Sequence, residues 1–286
     1  GYNNIFTASR AELDLTVQDD VNNFFKENSI YIVFNAAAKV GAIVGNQEMP
    51  GDFIHQNILI QSNIIDACLK NNIERHIFLG SCCIYPKFCD QPMKEDFLLT
   101  GELEPTNEPY AVAKISGIIS CQALHKQYKL KSVCPMPINL YGPGDNFHPE
   151  HSHVIPGLMR RIHEAKVTGI DEVTVWGTGE VKREYMHVDD CASGIIYVAD
   201  LFEAGEMINI APGTELTTRQ TAELISEVVG YKGKLVQDLS KPDGTPRKYA
   251  CSERIKQGGW KPSIDLKEGL QETYQWYLEN VAEKSE

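Results

Sequence analysis

Short β-rich runs alternating with amphipathic stretches constrain this chain more than any other feature, because a strand–helix rhythm builds a parallel sheet flanked by helices. Ile30 to Asn35 reads as a strand, Gln56 to Lys70 as a helix and His76 to Ser81 as the next strand. Pro109 to Tyr128 reads as a long helix and Lys131 to Pro135 as a further strand. Sheets of this kind bind ligands beyond the carboxyl ends of their strands. The expected functional ground is therefore Ala36 to Lys39, Ser81 to Tyr85 and Asn139 to Gly142.

After Tyr141 the run YGPGDNFHPEHSH supplies turn residues in place of that rhythm, which marks a soft boundary. Beyond it a helix is expected around Ile155 to Lys166, a strand at Val173 to Trp176, and helices at Thr218 to Val229 and Leu266 to Asn280. Such a segment suits capping a cleft and choosing a substrate.

One expected element is absent from the sequence. A dinucleotide domain normally opens with a strand, a glycine-rich turn and a helix whose N-terminal amides hold a pyrophosphate. None of the 22 glycines falls in a GxGxxG or GxxGxxG arrangement, and the chain runs from Gly1 into what resembles a second strand, Asn4 to Ser9. Either a first βα unit is missing or the cofactor site is crippled.

A formal net charge of -12 argues against a surface that coats nucleic acid, which needs a basic face. An anionic small substrate would require a few cations focused in a cleft. The eight cysteines follow neither secreted-domain spacing nor a CxxC zinc pattern, so most read as small buried residues in a reducing compartment. No apolar run approaches the roughly 20 residues of a membrane helix, and no signal peptide is visible, which makes a cytoplasmic enzyme the expectation.

Only one of the 12 tyrosines, Tyr110, has a lysine four positions later, Lys114. On a helix this spacing puts both side chains on one face. A phenol with a pKa near ~10 is a poor acid–base catalyst at neutral pH, and a nearby ammonium stabilises its phenolate. Taken alone, the pair equally describes a core tyrosine beside a solvated lysine. Ser81 ends the apolar run IFLGS, where its hydroxyl serves either as a turn cap or as a donor to a substrate carbonyl. Serine, tyrosine and lysine in this order and setting form a reductase constellation.

The segments FLGSCCIYPK, EPTNEPYAVAK, NLYGPGDNFHPEHSHVIP, VWGTG followed by RE, HVDD and SKPDGTPRK together resemble those of the GDP-L-fucose synthases, which are GDP-4-keto-6-deoxymannose epimerase/reductases of the extended short-chain dehydrogenase/reductase type. The resemblance runs in order from about Arg10 to near Asn280. It implies an α/β fold: a Rossmann-like parallel sheet lacking its usual first βα unit, with a smaller C-terminal substrate-binding α/β region. Residues 1–142 would form the NADP-binding domain and 143–286 mainly the substrate region, with some segments returning to the first.

The resemblance also implies epimerisation at C3 and C5 of a 4-keto-6-deoxy sugar, then reduction at C4 by NADPH. Ser81 and Tyr110 would polarise the C4 carbonyl, stabilising the enolate formed when a base removes a neighbouring proton. It assigns the base and acid of epimerisation to Cys83 and His153. By residue type alone, these two are a packing thiol and a loop histidine. It places Arg161, Arg183 and Lys248 near the nucleotide diphosphate and sugar, with Trp176 and Asp243 in the same site. Without it, Arg161 and Lys248 are solvated charges and Asp243 a turn residue in PDG.

At the end of the expected second strand, Ser9 and Arg10 stand where a carboxylate would select NAD, and an arginine there accommodates the extra phosphate of NADP. An exposed arginine without a partner satisfies the same sequence. Asp14 and Leu15 would lie near the adenine, with Lys39, Lys114, Asn139, Leu140 and His153 along the cofactor. The family commonly has paired glycines at Gly41 and Ala42, serine at Cys82 and threonine at Ile138, so the fit along the cofactor groove differs here. Competing readings are an enzyme for another nucleotide 4-keto-deoxy sugar and a nucleotide-sugar-binding protein without turnover. A homodimer through the two long helices is expected, by analogy with extended reductases.

Overall fold

The computed structural model describes residues 4–241 and 243–282. In its first half, helix α1 (Gln18–Glu27), strand β1 (Ile32–Asn35), helices α2 (Ile43–Glu48) and α3 (Pro50–Lys70), and strand β2 (Arg75–Phe78) are followed by α4 (Glu108–Tyr128), β3 (Ser132–Pro137) and β4 (Asn139–Tyr141). Next come α5 (Val154–Thr168), β5 (Glu172–Trp176), β6 (Lys182–His187), α6 (Val188–Leu201), β7 (Met207–Ile210) and β8 (Glu215–Thr217). The chain ends through α7 (Thr218–Val229), β9 (Lys234–Asp238), β10 (Arg247–Lys248), α8 (Glu253–Gln257) and α9 (Leu266–Asn280). None of the described helices is long and apolar enough to cross a membrane.

The fold is the expected α/β type. A parallel sheet runs β1-β2-β3-β7, so a strand from beyond residue 142 returns to the first half. A second sheet, β10-β6-β4 with β8 antiparallel on β6, joins β4 of the first half to strands of the second, and the parallel pair β5-β9 lies wholly in the second. Each half has its own core. One gathers Ile77, Phe78, Ile118, Met136 and Ile208 around the first sheet, and the other gathers Leu158, Met159, Ile162, Ala222 and Ile225 between α5 and α7.

Several elements differ from the sequence expectation. Asn4 to Ser9 forms no strand; its residues share no ladder with β1, whose only partner among the described residues is β2. The first long helix begins at Pro50 rather than Gln56, because a proline at the first helical position has its φ already set and no N–H to leave unpaired. Strand β3 extends through Pro135 and Pro137. Their missing donors face the β2 side, where the ladder covers only Ser132 and Val133, while Cys134 donates to Glu206 on the opposite side.

Helices α3 and α4 lie against one another on the sheet. Gln61 Nε2 bridges them, donating to the Ala113 carbonyl at 2.7 Å and to Ser116 Oγ at 2.8 Å. This contact ties α4, the helix that carries Tyr110 and Lys114, to α3.

Candidate active site

Strand β2 stops at Phe78, and Leu79 and Gly80 carry the chain to Ser81. A Cβ at Gly80 would lie 2.2 Å from Met136 Sδ, so a larger residue there must displace that buried side chain. Ser81 is extended, and its hydroxyl accepts from the Cys83 backbone N–H at 3.2 Å, capping a single 3-10 turn over Cys82–Ile84. The cap and the turn together aim Cys83 at the start of α4.

The Cys83 sulfur is surrounded by donors. Asn107 Nδ2 approaches it at 3.4 Å and Lys248 Nζ at 3.7 Å. Its pKa is held well below that of an ordinary thiol by the hydrogen bond from Cys82, against the opposing effect of burial, with further help from Lys248, Ser81 and His153. The proton stays on Cys82, whose pKa is raised by that same hydrogen bond and by burial. Lys248 keeps its charge: burial opposes it, but the neighbouring thiols Cys83 and Cys82 raise its pKa above the ordinary value.

Tyr110 lies in the first turn of α4, with its ring edge-on to Phe53 at 6.5 Å. Burial and the negative charge of Cys83 push its phenol upward, a hydrogen bond with Ser81 only partly offsetting them. The lysine-assisted phenolate expected from the spacing is therefore replaced by a protonated phenol. Lys114 is turned elsewhere: its ammonium donates to the Leu79 carbonyl at 2.7 Å and lies 5.0 Å from the Phe78 ring centroid. Burial lowers the Lys114 pKa to about 8.

Cations line the side contributed by the second half. In the β10–β6 ladder Lys248 is the register partner of Arg183, so two positive side chains arrive side by side near the cysteine pair. His153, exposed at the N-cap of α5, lies close to Cys83 and to Asp145, whose carboxyl burial pushes upward. Arg161 donates to the Gly157 and Thr174 carbonyls and covers the Trp176 ring at 5.7 Å. Lys241 approaches the same ring at 5.3 Å. An exposed indole between two cations presents a flat surface on which a base or sugar ring could lie.

Asp243 has a local task that its turn motif alone foreshadowed. Its Oδ1 accepts from the Thr178 backbone N–H at 2.8 Å, pinning the turn after Trp176. Gly177 has φ +75, and a Cβ there would stand 2.2 Å from Asp243 Oδ1.

The residues expected along a cofactor fall into two groups. The first group is Lys39 just after β1, Asn139 and Leu140 in β4, and Lys114 on α4 with its ammonium at the end of β2. Lys39 pairs with Asp52 at 2.7 Å, and its backbone N–H donates to Asn57 Oδ1 at 2.8 Å. Asn139 Nδ2 donates to the Glu184 carbonyl at 2.9 Å, joining β4 to β6, and Leu140 packs on the first core. Arg10, Asp14 and Leu15 belong to the entry to α1. Arg10 is exposed, Asp14 Oδ1 accepts from the Thr16 N–H at 2.9 Å, and the Leu15 carbonyl accepts from Asn63 at 2.9 Å.

Three residues escaped the sequence reading. Asn107 and Lys241 lie inside the motifs EPTNEPYAVAK and SKPDGTPRK, so the polar members of those motifs were the available signal. Asn35, at the end of β1, carries none. It is 3% exposed, and neither its amide nitrogen nor its amide oxygen has a partner among the described residues. Two unmet polar atoms at a strand end are the mark of a place where a ligand completes the hydrogen bonding.

Residues 2–211 match the model of the NAD dependent epimerase/dehydratase family. A probable GDP-L-fucose synthase 1 from Oryza sativa subsp. japonica is 54% identical over 282 residues, covering 98% of this chain and 86% of that protein. Among solved structures, a GDP-6-OMe-4-keto-L-xylo-heptose reductase from C. jejuni superposes with a TM-score of 0.92 at 32% identity, covering 98% of this chain and 91% of that one. A GDP-L-fucose synthetase from Naegleria fowleri bound to NADP gives 0.86 at 25% identity, covering 97% and 86%. With a parallel sheet, Ser81 just after its strand β2, Tyr110 and Lys114 on the helix α4 that follows, and matches along nearly its whole length, the chain belongs to the NAD dependent epimerase/dehydratase family.

Proposed function

We propose that this chain is a GDP-L-fucose synthase, which epimerises GDP-4-keto-6-deoxy-D-mannose at C3 and C5 and reduces it at C4 with NADPH. The observation that carries the reading is the Cys83 sulfur, held between Asn107 Nδ2 and Lys248 Nζ beside the Ser81–Tyr110 pair. A thiolate so placed removes a proton from the carbon next to a ketone. The enolate oxygen is met by the Ser81 and Tyr110 hydroxyls, and His153 returns a proton from the other face. Reduction then requires a proton on the C4 oxygen, and a phenol kept protonated by burial is suited to give it.

NADP(H), when bound, supplies the hydride. The unmet amide of Asn35 and the residues Lys39, Lys114, Asn139 and Leu140 fit its nicotinamide half, and Arg10, Asp14 and Leu15 its adenosine end. Arg161, Arg183 and Lys248 would balance the diphosphate, and Trp176 and Asp243 would shape the rest of the substrate site.

A homodimer through α3 and α4 suits the half-exposed Val112 and Ile119 on the outer side of α4, and the eight free cysteines suit the cytoplasm. The C. jejuni heptose reductase supports a second reading, another GDP-linked 4-keto sugar as substrate. The decisive assay supplies GDP-4-keto-6-deoxymannose and NADPH in deuterated water. NADPH oxidation with deuterium at C3 and C5 supports the reading; no oxidation with this sugar, but turnover of another GDP-linked 4-keto sugar, rejects it.

A further inference from the structure

Asn107 is the N-cap residue of α4, yet its side chain makes no capping hydrogen bond. Asparagine is among the best N-caps because its side-chain oxygen can accept from the first free N–H groups of a helix. Here the amide has turned away from the helix and reaches a sulfur 24 residues earlier in the chain, Cys83 Sγ, at 3.4 Å. The other end of the amide, Oδ1, is buried and has no partner among the described residues.

These contacts settle the orientation of the amide. Lys248 Nζ lies 3.7 Å from the same sulfur, so the sulfur accepts from both sides and the NH2 end of Asn107 must face it. Its oxygen then points the opposite way as an acceptor in need of a donor. A hydroxyl on the sugar meets that need; a phosphate or carbonyl, having only acceptors, does not.

We propose that Asn107 is a positioning residue, whose amide nitrogen holds the Cys83 sulfur in place while its amide oxygen receives a hydroxyl of the sugar ring. The inference deepens the proposed function and rests on it only for the identity of the sugar. One rigid amide would thereby fix the distance between base and substrate, so that ring and sulfur could not move independently. Six groups face the sulfur: Ser81 and Cys82 in its own turn, Tyr110 on α4, His153 before α5, Arg183 on β6 and Lys248 on β10. Asn107 adds an amide donor to these six, so its removal leaves all six in place.

The test reads the thiol directly. Alkylation of Cys83 by iodoacetamide, followed by peptide mass spectrometry across pH 5 to 10, is compared in wild type, Asn107→Ala and Asn107→Asp. The alkylation midpoint should rise by about one pH unit in Asn107→Ala and further in Asn107→Asp, whose carboxylate cannot donate to the sulfur. Because no cap is lost, the melting temperature of Asn107→Ala should stay near wild type. A lower melting temperature with an unmoved midpoint would make Asn107 merely structural and overturn the proposal.

The oxygen is tested by binding of GDP-mannose and its 2-deoxy and 3-deoxy analogues. One deoxy analogue should bind wild type roughly tenfold more weakly than GDP-mannose does, and Asn107→Ala should bind the two alike. A deoxy penalty that survives in Asn107→Ala removes the hydroxyl subsite. If the midpoint shifts but GDP-4-keto-6-deoxymannose is not turned over, the function reading falls and the positioning role stands.

Discussion

The Lys114 ammonium donates to the carbonyl of Leu79 at 2.7 Å, tying the first turns of α4 to the end of β2 where Ser81 begins. A lysine read from its spacing as an aid to a phenol is thus also the clamp that joins two elements of the site. Its cost is visible in its pKa, which burial lowers from 10.5 to about 8.

Between about pH 8 and 10.5 the unfolded chain holds the proton that folded Lys114 has released. Stability therefore rises with pH across that window, by up to about 3 kcal/mol, and the full penalty is present below it. Lys114→Met lacks this titration and also leaves the Leu79 carbonyl without its donor. Urea unfolding at pH 7.5 to 10 should show wild type gaining on the variant as pH rises; parallel stability curves would contradict a buried charged lysine.

Glu184 gives the opposite slope. Its side chain is fully buried, with Oε1 accepting from the Gly213 N–H at 2.9 Å and Oε2 from the Ala250 N–H at 2.7 Å. Burial raises its pKa from 4.5 to about 7 even though both hydrogen bonds favour the charged form. Folded protein thus keeps a proton that the unfolded chain loses above 4.5, and stability falls as pH rises from 4.5 to 7. Glu184→Gln retains one acceptor of the two and should cost on the order of 1–3 kcal/mol at acid pH. Thermal melts at pH 5 and 7 should show the wild-type advantage shrinking at the higher pH.

How much of this was legible in the sequence depends on the distance over which each contact acts. The alternation of strands and helices is local, so the sheet, the placing of Ser81 after its strand and that of Tyr110 and Lys114 on the next helix could be read directly. Helix and strand limits shifted where proline chemistry decided them, as at Pro50 and Pro137. The surroundings of Cys83 were harder to read. Lys248 meets it across 165 residues and Asn107 across 24, through the register of β10 on β6 and the approach of α4 to the turn after β2. Spacing along the chain carries no record of either. Nor did it reveal that burial would keep Tyr110 protonated, since desolvation is a property of the packed core.

The turn after Trp176 offers a test of substrate binding that leaves the catalytic groups untouched. Gly177 has φ +75, and an added Cβ would stand 2.2 Å from the Asp243 oxygen that holds Thr178. Gly177→Ala should therefore break that hydrogen bond and strain the turn, at a cost of roughly 1–2 kcal/mol. Trp176 would lose its fixed position between Arg161 and Lys241. The expected kinetic result is KM for the GDP-sugar raised about tenfold with kcat little changed. A fall in kcat at unchanged KM would place the turn in the chemistry instead.

Tyr110→Phe separates the hydroxyl from the ring. The ring keeps its edge contact with Phe53 at 6.5 Å, so α4 should stay seated and the melting temperature should move little. What is lost is an O–H donor which burial keeps protonated and which a hydrogen bond joins to Ser81. That donor would serve twice, stabilising the enolate during epimerisation and giving its proton to the C4 oxygen during reduction. Both stages should therefore slow together, by about 10²–10³. Single-turnover NADPH oxidation and deuterium exchange at C3 and C5, measured on the same preparation, check this. If exchange persists at the wild-type rate while reduction fails, Tyr110 acts only in reduction and Ser81 alone must hold the enolate.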